Sequence, residues 1–328
     1  MTPFADHRGY ATMFQQHQMT LGLFFPIESY SDAIPEMDIV TQIATAKLAE
    51  VSGFAALYFR DVPLNVPSFG DVGHIYDPWV FMGYVMAHTS RIALATGSIV
   101  STLRHPLHLA KAAASIDRLS GQRLVLGLAT GDRPSEFKAF NTPIEEKGER
   151  FQEALAVMRQ AWGEDFPRIE TPRVDMREGD LLPKPALRDV PVMVTGHSRQ
   201  TLEWIATNND GWLFYPQNVP QQASLIRQWR AATPYFKPFA QSLYIDLAED
   251  PNEAPSPIFL GLRAGRHHLV DYLTRLKSIG VNHVGLNLKY GRRPAHDVVQ
   301  ELGEFVTPYF AAHVLTSQES AAAPIQAP

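Results

Sequence analysis

The sequence predicts an α/β protein whose parallel strands close into a (β/α)8 barrel, with one insertion after the fourth βα unit. Short apolar runs alternate with amphipathic stretches along the 328 residues, which gives eight strand–helix units. No G-x-G-x-x-G follows the first apolar run, so the usual fingerprint of a doubly wound dinucleotide-binding sheet is missing. A closed barrel accounts for both observations better than an open sheet does.

Residues 91–140 contain the clearest of these units. Residues 92–96 form an apolar run typical of a strand buried on both faces. Pro106 can begin a helix, because the first helical turn leaves its own N–H groups unpaired. Apolar residues then recur at helical spacing, at Leu109, Ala112, Ala113, Ile116 and Leu119. Ser120 and Gly121 end that helix, and residues 124–128 supply the next strand, which predicts a right-handed crossover between parallel strands.

The other units follow the same pattern. Strands are predicted at residues 21–25, 55–59, 192–195, 212–215, 241–247 and 281–288. Helices are predicted at residues 37–51, 78–88, 149–162, 199–206, 219–232, 265–279 and 295–306. The first of these helices is expected to place Met37, Val40, Ile43, Ala44, Leu48 and Val51 on one side. Residues 163–190 carry four prolines and little periodicity, so we expect an excursion that contains a hairpin.

Composition limits the classes of function. The net charge is -5 and no basic run is present, so nucleic acid and anionic membranes are poor partners. No apolar stretch approaches the ~20 residues that span a bilayer, and the N-terminus does not resemble a secretion signal. The absence of cysteine excludes disulfides and thiolate sites and fits a cytoplasmic protein. We expect residues 1–18 to be flexible, residues 19–312 to form the barrel, and residues 313–328 to be disordered.

In a parallel barrel the chemistry lies where strands end and βα loops begin. Thr195, Gly196, His197 and Ser198, with Thr201 one turn later, place backbone amides and hydroxyls at such a point. These groups suit a phosphate, although Ser198 could equally be a simple helix N-cap.

Two other strand ends carry small or polar residues. Gly97 and Ser98 end the third strand, and Thr130 with Gly131 ends the fourth. Small residues leave room for a flat ligand to approach the backbone, although they could also do no more than turn the chain.

The run LRHPLHLAKAAASIDRLSGQRLVLGLATG resembles the central signature of the bacterial luciferase-like flavin monooxygenases. That signature is a His-Pro that opens a helix, followed by Leu-Asp-x-Leu-Ser-x-Gly-Arg before a strand. The run VPVMVTGHSRQTLEWIATNNDGWLFY is similar to the flavin-phosphate segment of the same family. The resemblance covers about residues 21–310.

The resemblance implies a TIM barrel that binds FMN at its C-terminal mouth. By position, Gly97 and Ser98 correspond to a non-proline cis peptide beneath the flavin ring, and Thr130 corresponds to a contact with the ring edge. Gly196, His197, Ser198 and Thr201 correspond to the phosphate-binding positions. The family also implies a homodimer, and reduced flavin supplied by NAD(P)H directly or through a flavin reductase.

The second strand end departs from the family pattern. The luciferases proper carry a His pair there, whereas this chain has Arg60 and Asp61, so light emission is not expected. Arg60 and Asp61 are candidates for binding or activating a polar substrate, or for forming a structural ion pair. Glu28, just past the first strand, is an acid–base candidate.

The expected function is therefore that of an oxidoreductase: an FMN-dependent monooxygenase that uses reduced FMN and O2 to oxygenate a small organic substrate. The alternatives are a deazaflavin (F420)-dependent hydride-transfer enzyme, a flavin-binding protein without turnover, and an unrelated phosphate-binding barrel such as an aldolase. The last would need a lysine or paired carboxylates at strand ends, and Lys289 is the one lysine so placed. His267, His268 and Asp271 are predicted to lie at a solvated helix start and not to bind a metal.

Overall fold

The computed structural model describes residues 4–28, 38–69 and 75–310. Its strands are β1 (Thr20–Phe25), β2 (Ala56–Phe59), β3 (Ala93–Thr96), β4 (Ile99–Val100), β5 (Leu124–Ala129), β6 (Ile169–Thr171), β7 (Val174–Met176), β8 (Val192–Thr195), β9 (Gly211–Phe214), β10 (Phe239–Leu247), β11 (Ser256–Ile258), β12 (Gly261–Ala264) and β13 (His283–Asn287). Its α-helices are α1 (Arg8–Met13), α2 (Ile39–Val51), α3 (Pro78–Met86), α4 (Pro106–Ser120), α5 (Pro134–Ala139), α6 (Lys147–Gly163), α7 (Leu202–Asn208), α8 (Val219–Ala231), α9 (Arg266–Ser278) and α10 (Ala295–Phe305).

Eight parallel strands close into a barrel, which confirms the predicted (β/α)8 fold. The ring runs β13, β1, β2, β3, β5, β8, β9 and β10, and β10 pairs with both β9 and β13 to complete it. Short β4 adds to β5, and the antiparallel β11–β12 pair adds to β10 beyond the barrel. All eight strand ends therefore meet at one mouth.

The strand register separates two cores. Residues such as Leu21, Leu23 and Phe25 of β1 point outward into a large cluster between the barrel and its helices. The alternate position of β1, Phe24, belongs to a second cluster inside the barrel. This alternation follows from the period-2 geometry of strands.

The predicted insertion is confirmed. Between α6 and β8 the chain forms the two-stranded antiparallel sheet β6–β7, where the sequence predicted an excursion with a hairpin. In the part of the chain that the structure describes, no helix is long and apolar enough to span a membrane.

The N-terminal segment does not pack loosely, so that expectation is wrong for residues 4–18. Phe4, Tyr10, Met13 and Phe14 are buried and belong to the cluster inside the barrel. They close the end of the barrel opposite the mouth. This packing was not predicted, because polar residues separate the buried ones and the buried positions follow neither the helical nor the strand period. The predicted disordered tail, residues 313–328, lies outside the described residues.

Two predicted helix faces also differ from the structure. The helix α2 buries Gln42, Ile43, Thr45, Ala46 and Ala49, whereas Val40 and Val51 of the predicted stripe are mostly exposed. Leu119 on α4 is likewise exposed. Both helices carry small apolar residues on two neighbouring faces. The sequence alone therefore did not show which face packs against the barrel.

Candidate functional site

The third strand end carries a cis peptide bond between Gly97 and Ser98, as the resemblance implied. A Cβ atom on Gly97 would lie 2.8 Å from Phe24 and 3.0 Å from Tyr58. These two rings are stacked, with centroids 5.0 Å apart, and form a flat floor within the barrel. Residue 97 must therefore be glycine for the backbone to lie against this floor.

Hydroxyl groups connect the ends of β3 and β8. The Ser98 hydroxyl hydrogen-bonds to the hydroxyl of Thr195, the last residue of β8. Below it, the Thr96 hydroxyl donates to the Gly127 carbonyl at 2.7 Å and accepts from the Gly127 N–H at 2.8 Å. The strands β3, β5 and β8 are thus held in fixed positions at the mouth.

The turn after β8 has an unusual backbone conformation. Gly196, Ser198 and Arg199 have φ angles of 58°, 45° and 61°. Left-handed residues near one another direct successive N–H groups toward one side, an arrangement that binds anions. Lys147 at the start of α6 lies close by. Burial lowers the pKa of Lys147, and the positive charge of Arg199 lowers it further. Two cations therefore accompany the predicted phosphate position.

Ser198 is not a helix N-cap, because α7 begins at Leu202 and Thr201 is its N-cap. The Thr201 side chain accepts from the Trp204 N–H at 3.2 Å, and the Ser198 hydroxyl donates to the Thr195 carbonyl at 2.8 Å. The predicted helix start at residue 199 is therefore wrong. The left-handed turn occupies the residues that the sequence assigned to the first helical turn.

His197 and Thr130 occupy different surroundings. His197 is exposed and packs edge-on against Trp212 and Phe214, with ring centroids 5.5 Å away in both cases. Thr130 is buried, and its carbonyl accepts a 2.8 Å hydrogen bond from the Thr102 hydroxyl.

Arg60 and Asp61 have separate partners. Arg60 forms an ion pair with Glu28, and the Lys289 ammonium lies 3.3 Å from the same carboxylate. Asp61 instead binds the Arg104 guanidinium at 2.7 and 3.1 Å and accepts the Val100 N–H at 2.9 Å. Asp61 thus holds the loops together, whereas Glu28 and Arg60 lie at the mouth.

The sequence analysis missed an aromatic cluster at this mouth, formed by Tyr244, Phe259 and Tyr290. The Tyr244 and Tyr290 ring centroids are 5.0 Å apart, and Phe259 is 6.1 Å from each. Alternation along β10 was the available signal. Tyr244 is two residues beyond Ser242 and four beyond Ala240, and Ala240 belongs to the cluster inside the barrel.

The mouth is therefore divided into two halves. One half, at the ends of β3, β5 and β8, is lined by glycine, hydroxyls and backbone amides. The other half, at the ends of β9, β10, β13, β1 and β2, is lined by aromatic rings and the Glu28–Arg60–Lys289 cluster. Among the described residues, no group of three His, Asp or Glu side chains is arranged to hold a metal ion.

Comparison with protein families shows to which family the chain with this mouth belongs. The family model of luciferase-like monooxygenases matches residues 19–272. The chain belongs to this family. The glycine-lined half and the aromatic half are thus two parts of the mouth of a luciferase-like oxidoreductase.

The chain is also similar to individual members. An uncharacterized Mycobacterium tuberculosis protein is 30% identical over 211 residues, which are 59% of this chain and 75% of that protein. An F420-dependent hydroxymycolic acid dehydrogenase of the same organism is 29% identical over 192 residues, 58% of this chain and 52% of that protein. The crystal structure of a monooxygenase from Streptomyces bottropensis superposes with a TM-score of 0.73 at 19% identity, over 89% of this chain and 100% of the other.

Proposed function

We propose that this protein is a flavin-dependent monooxygenase that uses reduced FMN and O2 to oxygenate a small organic substrate. The observation that carries the proposal is the glycine-lined half of the mouth. It combines a flat floor at the cis Gly97–Ser98 peptide with the left-handed turn at Gly196–Arg199, and the Ser98–Thr195 hydroxyl contact joins the two. A planar ring with a phosphate at the end of a short chain matches this pair of features.

The residues have distinct roles in this proposal. Gly97, Ser98 and Thr130 would lie against the ring, and Gly196, His197, Ser198 and Thr201 would surround the phosphate, with Lys147 and Arg199 adding positive charge. When bound, reduced FMN supplies the redox chemistry and the activation of O2. The protein orients the ring and excludes water, and Arg60 and Glu28 bind the substrate or move a proton to it.

A deazaflavin-dependent hydride transfer is the second candidate. It is supported by the similarity to the F420-dependent hydroxymycolic acid dehydrogenase. The same two features of the mouth would accept either cofactor. The two reactions differ in their need for O2, which makes them separable by experiment.

The first experiment is a titration with FMN, oxidised and reduced, beside riboflavin, which lacks the phosphate. We expect the double variant Ser198→Ala/Thr201→Ala to weaken FMN binding roughly tenfold or more, since a hydrogen bond to a charged group contributes ~1.5–3 kcal/mol. Riboflavin binding should not change. Thr207→Ala removes an exposed hydroxyl from the same helix and is the matched control.

The outcomes separate the candidates. FMN binding together with O2 uptake that depends on reduced flavin supports the monooxygenase. Deazaflavin binding with anaerobic substrate oxidation supports hydride transfer. FMN binding without turnover would indicate a flavin-binding protein, and equal affinity for FMN and riboflavin would contradict the phosphate site.

We further propose that the protein forms a homodimer through the outer faces of α2 and α3. These faces expose Val40, Ala44 and Val51 on α2 and Val80 and Tyr84 on α3. No residue of α3 is charged, which is unusual for a helix at a surface. A symmetric dimer brings the same patch of each chain together, so an interface centred on the uncharged α3 avoids repulsion between like charges. The exposed Lys47 shares the outer face of α2 and would lie away from that centre. A cytoplasmic location and a flavin reductase partner remain predictions from the sequence.

A further inference from the structure

The aromatic wall, defined as Tyr244, Phe259 and Tyr290, is assembled from three separate elements. Tyr244 belongs to β10, Phe259 to the turn between β11 and β12, and Tyr290 to the segment after β13. The rings meet at 52–72° to one another. The Phe259–Tyr290 pair, at 72°, is edge-to-face, which is a favourable arrangement, and both pairs with Tyr244 are tilted. The three rings are therefore already in contact with one another without a ligand.

The wall is open toward the mouth. Phe259 is 63% exposed, whereas Phe24 and Tyr58 of the barrel floor are buried. Phe259 is not an isolated exposed side chain, because it is continuous with the rings of Tyr244 and Tyr290. A contiguous aromatic surface at the mouth suits the apolar part of a ligand. The β11–β12 pair, which carries Phe259, lies outside the barrel ring and contributes nothing to its closure.

Positive charge lies beside the wall. Burial raises the pKa values of Tyr244 and Tyr290, and Arg60 opposes this effect. The Glu28 carboxylate pairs with both the Arg60 guanidinium and the Lys289 ammonium, and Lys289 directly precedes Tyr290 in the chain. Two cations and one carboxylate therefore lie beside the wall.

We infer that the aromatic wall is the substrate subsite and that it binds a planar aromatic carboxylate, whose ring packs on Phe259 and Tyr290 and whose carboxylate faces Arg60. The inference rests on the proposed function for the reaction that the bound molecule undergoes. The binding itself requires only the wall and Arg60. It can therefore be measured without any cofactor.

The test compares 2-naphthoate with decahydro-2-naphthoate, which has the same carbon skeleton and charge but no flat ring. Binding is followed by ligand-observed NMR on the full-length, cofactor-free protein. We expect 2-naphthoate to bind roughly two- to tenfold more tightly, since the saturated ring keeps its apolar area but loses the aromatic contacts. The neutral 2-naphthamide should bind more weakly than 2-naphthoate, because it lacks the charge that Arg60 favours.

Two variants locate the binding. Phe259→Ala should weaken 2-naphthoate binding roughly three- to tenfold and decahydro-2-naphthoate binding by a smaller factor, because the saturated ligand loses apolar contact but no aromatic pairing. Phe166→Ala removes a phenylalanine of similar exposure from the insertion, away from the mouth, and should change neither affinity. Because the Phe259 side chain is exposed, its loss should not affect folding, which circular dichroism checks.

Equal affinity for the two carboxylates, or an unchanged affinity in Phe259→Ala, would overturn the inference. Either result would leave the flavin titration unaffected, because that titration reports on the other half of the mouth. Conversely, naphthoate binding without any flavin binding would support the subsite and reject the proposed function. The two proposals can therefore fail independently.

Discussion

At the scale of single residues, Glu136 is a buried carboxylate that joins two loops of the mouth. Its Oε1 accepts the Leu64 N–H at 3.3 Å, and Oε1 lies 4.0 Å from the Arg133 guanidinium. Burial raises the pKa of Glu136, an effect that Arg133 only partly offsets. The ionised form is therefore disfavoured in the folded protein.

We expect Glu136→Gln to change the dependence of stability on pH. Because the folded-state pKa exceeds the unfolded one, ~4.3, the wild-type protein loses stability as the pH rises from that value through the folded pKa. The glutamine keeps an acceptor for Leu64 and has no charge to bury. The urea midpoint of the variant should thus rise relative to wild type between pH 4 and pH 8.

Glu145→Gln serves as the control, since Glu145 is exposed and close in sequence. It should leave the pH dependence of the urea midpoint as it is in the wild-type protein. A Glu136→Gln variant whose urea midpoint keeps the wild-type dependence on pH would contradict the raised pKa of Glu136 in the folded protein.

Sequence reasoning identified residue types at the mouth better than their partners. It placed Glu28, Arg60 and Asp61 at strand ends, where the structure has them. It offered Arg60 and Asp61 as a joint pair, whereas each binds a partner distant in sequence: Glu28 for Arg60 and Arg104 for Asp61. Such pairing depends on how separate loops fold over one mouth, and a local pattern carries no information about it.

At the scale of elements, the N-terminal segment acts as a plug of the barrel. Met13 is fully buried among the side chains inside the barrel, and the Thr20 hydroxyl donates to its carbonyl at 2.7 Å. The His7 imidazole also lies 3.0 Å from the buried Asp117 carboxylate of α4. The plug is thus attached to the barrel and to its surrounding helices.

Met13→Ala should lower the free energy of unfolding by roughly 2–5 kcal/mol, the usual cost of truncating a buried methionine. Gln16→Ala changes an exposed residue of the same segment and should have little effect. Denaturant unfolding measures both. A Met13→Ala variant as stable as wild type would show that the segment packs loosely in solution.

The elements of the barrel were predictable because strands buried on both faces are continuous apolar runs. Helix orientation was less so. On α2, the outward Val40 and the inward Ala46 are both apolar, and periodicity cannot tell which face meets the barrel. The left-handed conformation of Ser198 and Arg199 was not predicted, because serine and arginine rarely adopt positive φ and neither position is a glycine.

At the scale of the whole molecule, the exposed apolar faces of α2 and α3 determine the expected assembly. Val80 and Tyr84 are neighbours on the outer side of α3, and a Cβ atom on Gly83 between them would meet none of the described residues within 4 Å. The open space at Gly83 would let a second copy approach the helix backbone closely. Covering these side chains would remove their apolar surface from water.

We expect light scattering to give twice the 36.6 kDa mass of one chain for the wild-type protein, and the mass of one chain for Tyr84→Glu. The introduced carboxylates would face each other across the symmetric interface and would be costly to bury without a partner. Tyr235→Glu places the same charge at a tyrosine of similar exposure on a different surface, so it should stay dimeric. If Tyr84→Glu stayed dimeric while folded, the interface would lie elsewhere, and a wild-type protein with the mass of one chain would exclude the homodimer.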